Sequence, residues 1–313
     1  MLKTRAEIKA NARQAMKGRR GTCIGALVLM SIIVGMGSLF GYIPILGTLI
    51  VWATVVFIDW PLMVGVENLF IRVYKREQVA VDNIFAGFSG NYMRKVGGMA
   101  WMQLWMFIWA LPVVIMLVVI IVTMFYAHFT GPGFLPSLST VMFAIILVSP
   151  PFILLTVKSL SYSLTPFILA DCPDVLATEA LNISKRMTKG YKGHLAMFFL
   201  SWIVWFIPGV AVIIGGAILS DGLGILTLMW LIVLVYIILV IVHINPYLYT
   251  SHAGYYIELK NKAIEDGIIE ARELGIEEIV ENTIENTQVE PMEIEDIIQD
   301  IDKVVEEIDQ ELS

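Results

Sequence analysis

Hydrophobic residues along the chain are grouped in six long runs separated by shorter polar segments. The runs cover residues 22–40, 44–71, 98–126, 140–169, 195–219 and 224–257. A helix needs about 20 apolar residues to cross the hydrocarbon core of a bilayer. The pattern therefore predicts an all-α integral membrane protein, built as a six-span helical bundle. Several runs are longer than a bilayer requires, so we expect those helices to tilt, bend or project beyond it.

Composition supports this class and divides the chain. Hydrophobic residues make up 58% of the chain and charged residues 16%, whereas soluble domains are about 25% charged. Residues 1–257 contain 17 basic and 9 acidic residues, and residues 258–313 contain 4 basic and 19 acidic residues. We therefore predict a cytoplasmic interfacial amphipathic helix over 1–20, a six-span membrane domain over 21–257, and a soluble acidic cytoplasmic tail over 258–313.

The positions of the basic residues predict an orientation. Lys and Arg cluster in the leading segment, in residues 72–95 and in residues 185–192. The predicted external loops, 40–44, 127–139 and 220–224, contain one charge in total, Asp221. Because positive residues stay on the cytoplasmic side, we expect a multi-pass protein of the cell membrane with both termini in the cytoplasm.

Three polar segments that precede apolar runs resemble one another. They begin near Thr4, Val81 and Thr178, mix apolar with basic positions, and end in basic residues and glycine. Each is predicted to be a helix of about four turns in the cytoplasmic interface, where its cations favour an anionic inner leaflet. Thr4 and Glu7 have the spacing of a capping box, and Asp82 and Thr178 are expected to cap the other two helices.

The second apolar run of each pair contains a proline with a polar residue just before it, in the segments Asp59-Trp60-Pro61, Thr165-Pro166 and Asn245-Pro246. Together these features predict three repeats of an interfacial helix plus a transmembrane hairpin, with the returning helix kinked at its proline. Trp109 falls opposite Trp205 when the outgoing helices are aligned without gaps from Gly97 and Gly193. The alternative is that the hairpins are alike only in composition.

Polar residues inside the predicted spans are candidates for a functional site, because an ionisable group in hydrocarbon is unfavourable unless it is paired or hydrated. The candidate intramembrane polar site consists of Asp59, Lys158, Thr165, His243 and Asn245. Transporters build such sites from broken helices near the midplane. In the alternative interpretation, Asp59 and Lys158 form one buried pair that sets helix register. Glu67 is expected to be hydrated near Arg72.

Motifs of known chemistry are missing from the sequence, so no catalytic residue, metal site, cofactor or nucleic-acid partner is predicted. The eight tryptophans are interpreted as lipid-facing or interfacial anchors that form no aromatic box. Cys23 and Cys172 are not expected to form a disulfide. Asp171–Asp174 is interpreted as a turn whose carboxylates raise the pKa of Cys172.

The acidic tail has an apolar stripe, Ile294, Ile297, Ile301, Val304 and Ile308, with alternating spacings of three and four. This spacing is typical of an amphipathic helix or a short coiled-coil seam. A helix of this length is marginal alone, so residues 291–312 are predicted to bind a protein partner or to self-associate. The alternative is a solvated, disordered acidic tail.

Three stretches carry a resemblance to a known family: R-A-E-I-K from Arg5, the segment Tyr162–Gly193, and the segment Asn245–Leu259. They are similar to an uncharacterised bacterial family of polytopic membrane proteins, defined as a domain of unknown function. The resemblance covers about residues 1–260, implies a membrane bundle, and supplies no catalytic residues that could be carried over to this chain. More loosely, the layout is similar to membrane domains of glycerophosphodiester phosphodiesterases, whose catalysis belongs to a separate soluble domain.

Three functional classes are compatible with these features. The first is a non-catalytic membrane scaffold or accessory protein that recruits partners or lipids through its tail and its basic helices. The second is a small-solute or ion transporter or channel that uses the intramembrane polar residues. The third, an intramembrane enzyme, is the least supported because no catalytic set is present.

Overall fold

The computed structural model describes residues 3–44, 46–130, 138–205, 207–211, 214 and 223–275. Within them the regular elements are all helical. The α-helices are α1 Arg5–Ala15, α2 Arg20–Leu39, α3 Leu46–Thr54, α4 Trp60–Tyr74, α5 Tyr92–Thr130, α6 Leu138–Tyr162, α7 Thr165–Asp171, α8 Ala177–Met187, α9 Lys192–Ile203, α10 Leu223–Leu239 and α11 Asn245–Glu265. Short 3-10 helices cover Phe40–Tyr42, Val81–Phe88 and Ala271–Leu274, and π-helical turns cover Val55–Asp59 and Val240–Ile244.

Four helical segments are long and apolar enough to cross a membrane: Arg20–Tyr42, Leu46–Tyr74, Tyr92–Thr123 and Met142–Asp171. They correspond to the first four predicted spans. The fifth predicted span, 195–219, includes residues outside the described part of the chain, and the sixth, 224–257, has side chains that are not described. The described structure is therefore that of an all-helical membrane protein with four candidate spans.

The regular α-helical pattern of each returning helix is interrupted just before its predicted proline, and each such irregular turn within the helix is called a break below. A π-helical turn ends at Asp59 before Trp60-Pro61, and a second one ends at Ile244 before Asn245-Pro246. Between them in sequence, α6 ends and α7 restarts at Thr165-Pro166. In all three cases the proline follows this irregular turn after one intervening residue, and because proline has no N–H it leaves the carbonyl oxygen four residues earlier without its helical donor.

The buried core lies between the three prolines and the predicted cytoplasmic ends of the helices. Residues of α1, α4, α7, α8 and α11 supply most of the buried side chains, including the fully buried Phe70, Phe167 and Tyr256. By contrast, α3, α6 and the second half of α5 expose large apolar side chains over most of their length. Such continuous apolar exposure is typical of a surface that faces lipid.

The long helix α5 shows this division within one element. Its 39 residues span about 58 Å, nearly twice the thickness of the hydrocarbon core. Its exposed large apolar side chains begin at Leu104, apart from Met93, and continue to Tyr126, a length of about 33 Å. The exposed part of α5 thus matches a bilayer, and its first turns belong to the packed core.

The three predicted interfacial helices are not alike. α1 and α8 each have 11 residues, whereas the second segment is a 3-10 helix over Val81–Phe88. The expectation of three similar four-turn helices is therefore wrong. The second segment passes so close to α4 that a Cβ atom on Gly65 would overlap the carbonyl oxygen of Ile84, and one on Gly87 would overlap that of Pro61. Backbone contact of this kind requires glycine on both sides.

The capping predictions have mixed outcomes. In α1 the backbone N–H of Glu7 donates to Thr4 Oγ1 (3.3 Å), and the N–H of Thr4 donates to the Glu7 carboxylate (2.8 Å), so the capping box is present. Asp82 and Thr178 are not caps. The 3-10 segment is preceded by Ala80, whose N–H donates to Asn83 Oδ1 (2.8 Å), and α8 is preceded by Leu176.

The compact unit extends beyond the predicted end of the membrane domain. Residues 1–269 form one unit, and residues 270–313 form a second. α11 continues to Glu265, and Ala263 and Ile269 are buried, so the predicted boundary at 257/258 falls inside a helix. In the second unit the described part is a 3-10 turn, Ala271–Leu274. The apolar stripe of 291–312 lies outside the described residues.

Candidate functional site

The five candidate polar residues are not joined to one another in the part of the chain that the structure describes. Asp59 ends a π-helical turn, is half-buried, and makes no hydrogen bond or ion pair there. Lys158 instead places its Nζ 4.2 Å from the ring centroid of Trp109. The expected Asp59–Lys158 pair is therefore not formed. A lysine on an indole face is stabilised by the ring quadrupole without any carboxylate.

The other three candidates lie near helix breaks. Thr165 is fully buried at the start of α7, and its hydroxyl has no hydrogen-bond partner in the described structure. Asn245 begins α11, and His243 lies in the π-helical turn before it, where it lines a cavity. The breaks thus hold polar groups, but no hydrogen bond connects one break to another among the described residues.

Glu67 differs from its expected environment. Its side chain is buried, with 3% of its surface exposed, and one carboxylate oxygen lacks a hydrogen-bond partner among the described residues. Arg72 was expected to lie near a hydrated Glu67, but its Nε donates to the Glu77 carboxylate instead (3.0 Å). The prediction of a hydrated Glu67 is therefore wrong.

A polar cluster that the sequence did not single out joins α4, α7 and α11. Asp171 accepts hydrogen bonds from Lys260 Nζ (2.6 Å), Tyr256 Oη (3.0 Å) and Lys75 Nζ (3.2 Å). The side chains of Asp171 and Lys260 are only 11% and 13% exposed. The ion pair therefore lies inside the core, where its geometry determines whether it stabilises.

The backbone around this cluster is also held by side chains. Arg94 of α5 donates to the carbonyl oxygens of Leu169 and Val175 (2.7 Å each). Asn68 of α4 donates to the carbonyl oxygen of Ala170 (3.2 Å). The turn between α7 and α8, predicted from Asp171–Asp174, is therefore held from two neighbouring helices.

The two cysteines are free and buried. Cys172 Sγ lies 3.9 Å from Tyr256 Oη and 3.7 Å from Lys260 Nζ. Burial raises the pKa of the Cys172 thiol, Lys260 lowers it, and Asp171 raises it, with a net upward direction. The direction agrees with the expectation, but its largest cause is burial. Such a thiol stays protonated at neutral pH and is a poor nucleophile.

Tryptophan and tyrosine rings next to the membrane-facing part of the fold contact lysines. Lys185 Nζ lies 5.5 Å from the ring of Trp105 and 5.4 Å from that of Tyr162. Trp109 contacts Lys158 and donates from Nε1 to Tyr162 Oη (3.1 Å). The interpretation of the tryptophans as anchors without an aromatic box is therefore incomplete, because two lysines share this aromatic group.

A cavity of about 520 Å³ lies between α1, α9 and the start of α11. Its polar lining is basic, and indole and phenol rings complete the wall. The charged and aromatic residues lining it are Arg13, Lys17, Arg20, His243, Trp202, Trp205 and Tyr247. No carboxylate lines this cavity, so its chemistry favours an anionic group.

A second cavity of about 250 Å³ contains Asn68, Arg94 and Lys95. Its two cations already bind backbone, because Lys95 Nζ donates to the carbonyl oxygens of Ala86 (2.6 Å) and Ser89 (2.8 Å). Within the described residues no three His, Cys, Asp or Glu side chains come together as metal ligands would. The first cavity is therefore the stronger candidate for a ligand site.

The fold and these sites define an all-helical membrane protein whose polar groups concentrate in a packed core and at its edge. The chain belongs to the family described as protein of unknown function (DUF975), whose family model matches residues 1–263. The resemblance seen in the sequence is thus confirmed at the level of the family. Neither curated proteins nor solved structures give a significant match to the chain.

Proposed function

We propose that the protein is a non-catalytic membrane scaffold or accessory protein. The observation that supports this function is the separation of its polar groups. No hydrogen bond or ion pair joins Asp59, Lys158 and Thr165 in the described structure, whereas an intramembrane transport site needs such groups to converge. The buried ion pair between Asp171 and Lys260 instead joins α7 to α11, as expected of a rigid scaffold.

The proposed topology has six spans in three repeats, with both termini in the cytoplasm. Support comes from three glycines with positive φ: Gly18, Gly90 and Gly190. In each case the outgoing helix begins two residues later, at Arg20, Tyr92 and Lys192. The three proline breaks of the returning helices add a second set of equivalent positions.

These helix starts favour a repeat register different from the one read from the sequence. Counted from the turn glycines Gly90 and Gly190, Trp105 and Trp205 are equivalent, and Trp109 lies one helical turn further along. The glycines used for the sequence alignment, Gly97 and Gly193, lie at different distances from their helix starts.

In this proposal the acidic tail recruits a protein partner or a second copy through residues 291–312. The test is affinity purification of the full chain from native membranes, compared with a chain truncated after Ile269. That end point keeps α11 whole and retains the buried Ile269. A truncation after Lys262 would remove the end of α11 and disturb the core.

A matched variant separates the stripe from the charge of the tail. Ile297→Ser/Ile301→Ser/Val304→Ser keeps every acidic residue but removes the apolar seam. We expect one specific partner, or the oligomer, to be lost in both the truncated chain and the serine variant. Retention of all partners by both proteins would eliminate the scaffold function through this tail.

A small-solute or ion transporter is the second candidate, and the broken returning helices favour it. Asp59 is half-buried and has no ion pair in the described structure, directly before one break. Under this function Asp59→Asn abolishes flux in liposomes containing the purified protein. Equal flux through wild type and Asp59→Asn would remove Asp59 from any transport site.

A further inference from the structure

The basic cavity between α1, α9 and α11 holds cations that have no carboxylate partner. The Arg13 guanidinium lies 5.4 Å from the ring centroid of Tyr247, and its Nη2 is 3.5 Å from Tyr247 Oη. Lys17 and Arg20 are exposed, and neither forms an ion pair among the described residues. Three cations therefore surround a space of about 520 Å³ without an internal counter-charge.

Arg19, a neighbour of these cations in sequence, does not line the cavity and binds backbone instead. Arg19 lies between Lys17 and Arg20 in sequence and donates to the carbonyl oxygens of Glu77 (2.9 Å) and Arg76 (2.6 Å). Arg19 thus fastens the turn between α1 and α2 to the end of α4. The residues on either side of it line the cavity and remain available to a ligand.

The cavity lies at the level where the helix surface changes from packed to lipid-facing. On α9 the large apolar side chains of Leu200 and Ile203 are exposed, while Trp202 between them is buried. Leu239 is exposed just before the π-helical turn that contains His243. Trp, Tyr and basic side chains at such a boundary are typical of the headgroup region of a membrane.

The lysine pair on α6 and α8 lies in an equivalent place. Lys185 precedes Gly190 by five residues, as Arg13 precedes Gly18. Each of the two cations contacts an aromatic ring of a returning helix: Tyr162, at the end of α6, for Lys185, and Tyr247, in the last helix α11, for Arg13. Lys158 joins Lys185 through the same aromatic group, and neither lysine has a carboxylate partner among the described residues.

We propose that these two seams, one at Arg13, Lys17 and Arg20 and one at Lys158 and Lys185, bind the phosphate groups of acidic phospholipids. The proposal rests on the proposed six-span topology, in which both termini and these cations lie on the cytoplasmic side. The guanidinium and ammonium groups donate charge-assisted hydrogen bonds to the phosphate oxygens. The rings beside them occupy the headgroup level, and the acyl chains lie along the exposed apolar faces of the helices.

The test is native mass spectrometry of the full chain in detergent, with phosphatidylglycerol and phosphatidylcholine present in equal amounts. Wild type should retain phosphatidylglycerol preferentially. Lys17→Gln/Arg20→Gln should lose one bound phosphatidylglycerol, with affinity about 30-fold weaker for two lost cations near an anionic lipid. Neither substituted side chain makes a hydrogen bond in the described structure, so the variant should elute like wild type in gel filtration.

The matched control is Lys189→Gln/Lys192→Gln, which removes the same charge from two lysines that lie outside both seams and form no ion pair among the described residues. It should keep the phosphatidylglycerol that the cavity variant loses, and Lys185→Gln should lose the lipid of the second seam. The single variant Arg20→Gln should give an intermediate loss of about fivefold.

Two results of the lipid comparison would overturn the proposal. One is an equal affinity of wild type for the two lipids, and the other is an equal loss in the cavity variant and the control. A third arm adds inorganic phosphate at 10 mM, roughly the concentration at which a weak site with millimolar affinity fills. Displacement of the lipid by phosphate alone would assign the site to a soluble anion and reject the lipid.

Discussion

Asp171 connects three helices through one carboxylate, because its partners come from α4 and α11 while it ends α7. The two lysines differ in exposure. Lys260 is 13% exposed and Lys75 is 42% exposed. A buried charge that loses its partner is strongly unfavourable, whereas an exposed pair contributes little because water solvates both ions. The two lysines should therefore have unequal effects on stability.

Asp171→Asn is expected to lower the free energy of unfolding by about 3 kcal/mol, because it leaves the Lys260 ammonium buried without a counter-charge. Lys75→Gln should lower it by less than about 1 kcal/mol. Chemical unfolding in detergent, followed by tryptophan fluorescence, measures both values. Equal losses in the two variants would show that burial does not distinguish these pairs.

The free energy of unfolding of Asp171→Asn should change with pH in a direction that follows from the pKa of Lys260. In wild type, burial lowers the pKa of Lys260, but Cys172 and Asp171 raise it, and the net direction is upward from 10.5. The contribution of Lys260 is thus present below pH 10.5 and is lost only as pH rises through the folded pKa. Without Asp171, and with the Cys172 thiol protonated, burial should bring the pKa of Lys260 below its unfolded value.

The stability of Asp171→Asn should therefore rise with pH as the pH approaches the unfolded pKa of Lys260 from below, because the unfolded state then binds more protons than the folded state. The difference in free energy of unfolding between wild type and Asp171→Asn should become smaller over the same pH interval. Unfolding curves collected from pH 7 to about 10 test this, and a constant difference would contradict it.

At the scale of elements, the contact between α4 and the 3-10 helix Val81–Phe88 explains why the second interfacial segment differs from α1 and α8. Gly65 and Gly87 place backbone directly against backbone. A regular α-helix with side chains in this place could not approach α4 so closely. The backbone of this segment therefore follows the surface of α4.

Gly65→Ala is expected to destabilise the protein by about 2 kcal/mol or more, since the new methyl group meets backbone atoms that cannot rotate away. Gly21→Ala is the control, because a Cβ atom there meets nothing within 4 Å. That substitution should be neutral or stabilise α2 by up to about 1 kcal/mol. Thermal unfolding of the two variants measures the contrast, and a stable Gly65→Ala protein would refute the close contact.

At the scale of the whole molecule, the fold is divided between a packed core and helices that expose apolar side chains. Most buried side chains lie near the predicted cytoplasmic ends of the helices. The proposed six-span topology places the turn after Phe40 and the segment around Asp221 outside the cell, and the turn at Gly190 inside it.

Single cysteines test that topology in a background with Cys23 and Cys172 replaced by Ser. An impermeant maleimide should label Tyr42→Cys and Asp221→Cys in intact cells, and Lys189→Cys only after permeabilisation. Tyr42 is 86% exposed, so labelling reports topology and not burial. A protein with four spans would label Tyr42→Cys but leave Asp221→Cys protected until permeabilisation.

The class of protein and its helix breaks could be predicted from the sequence, because both depend on local composition. Long apolar runs favour helices in lipid whatever their neighbours are, and a proline removes one backbone hydrogen bond from its own helix. Proline alone is not a sufficient signal, because Pro112 lies inside α5 and Pro150 and Pro151 lie inside α6. The Thr4–Glu7 capping box is equally local, with its partners three residues apart.

Partnerships between distant residues could not be predicted in this way. Lys260 meets Asp171 across 89 positions, and Glu67 is buried only because α4 is surrounded by other helices. The basic cavity likewise forms from Arg13 and Trp205, which are far apart in the chain. The sequence by itself determined the helical membrane class, the proline breaks and the distribution of charge. Only the tertiary structure decided which charges are paired and which line a cavity, because pairing depends on how helices pack and not on the order of residues.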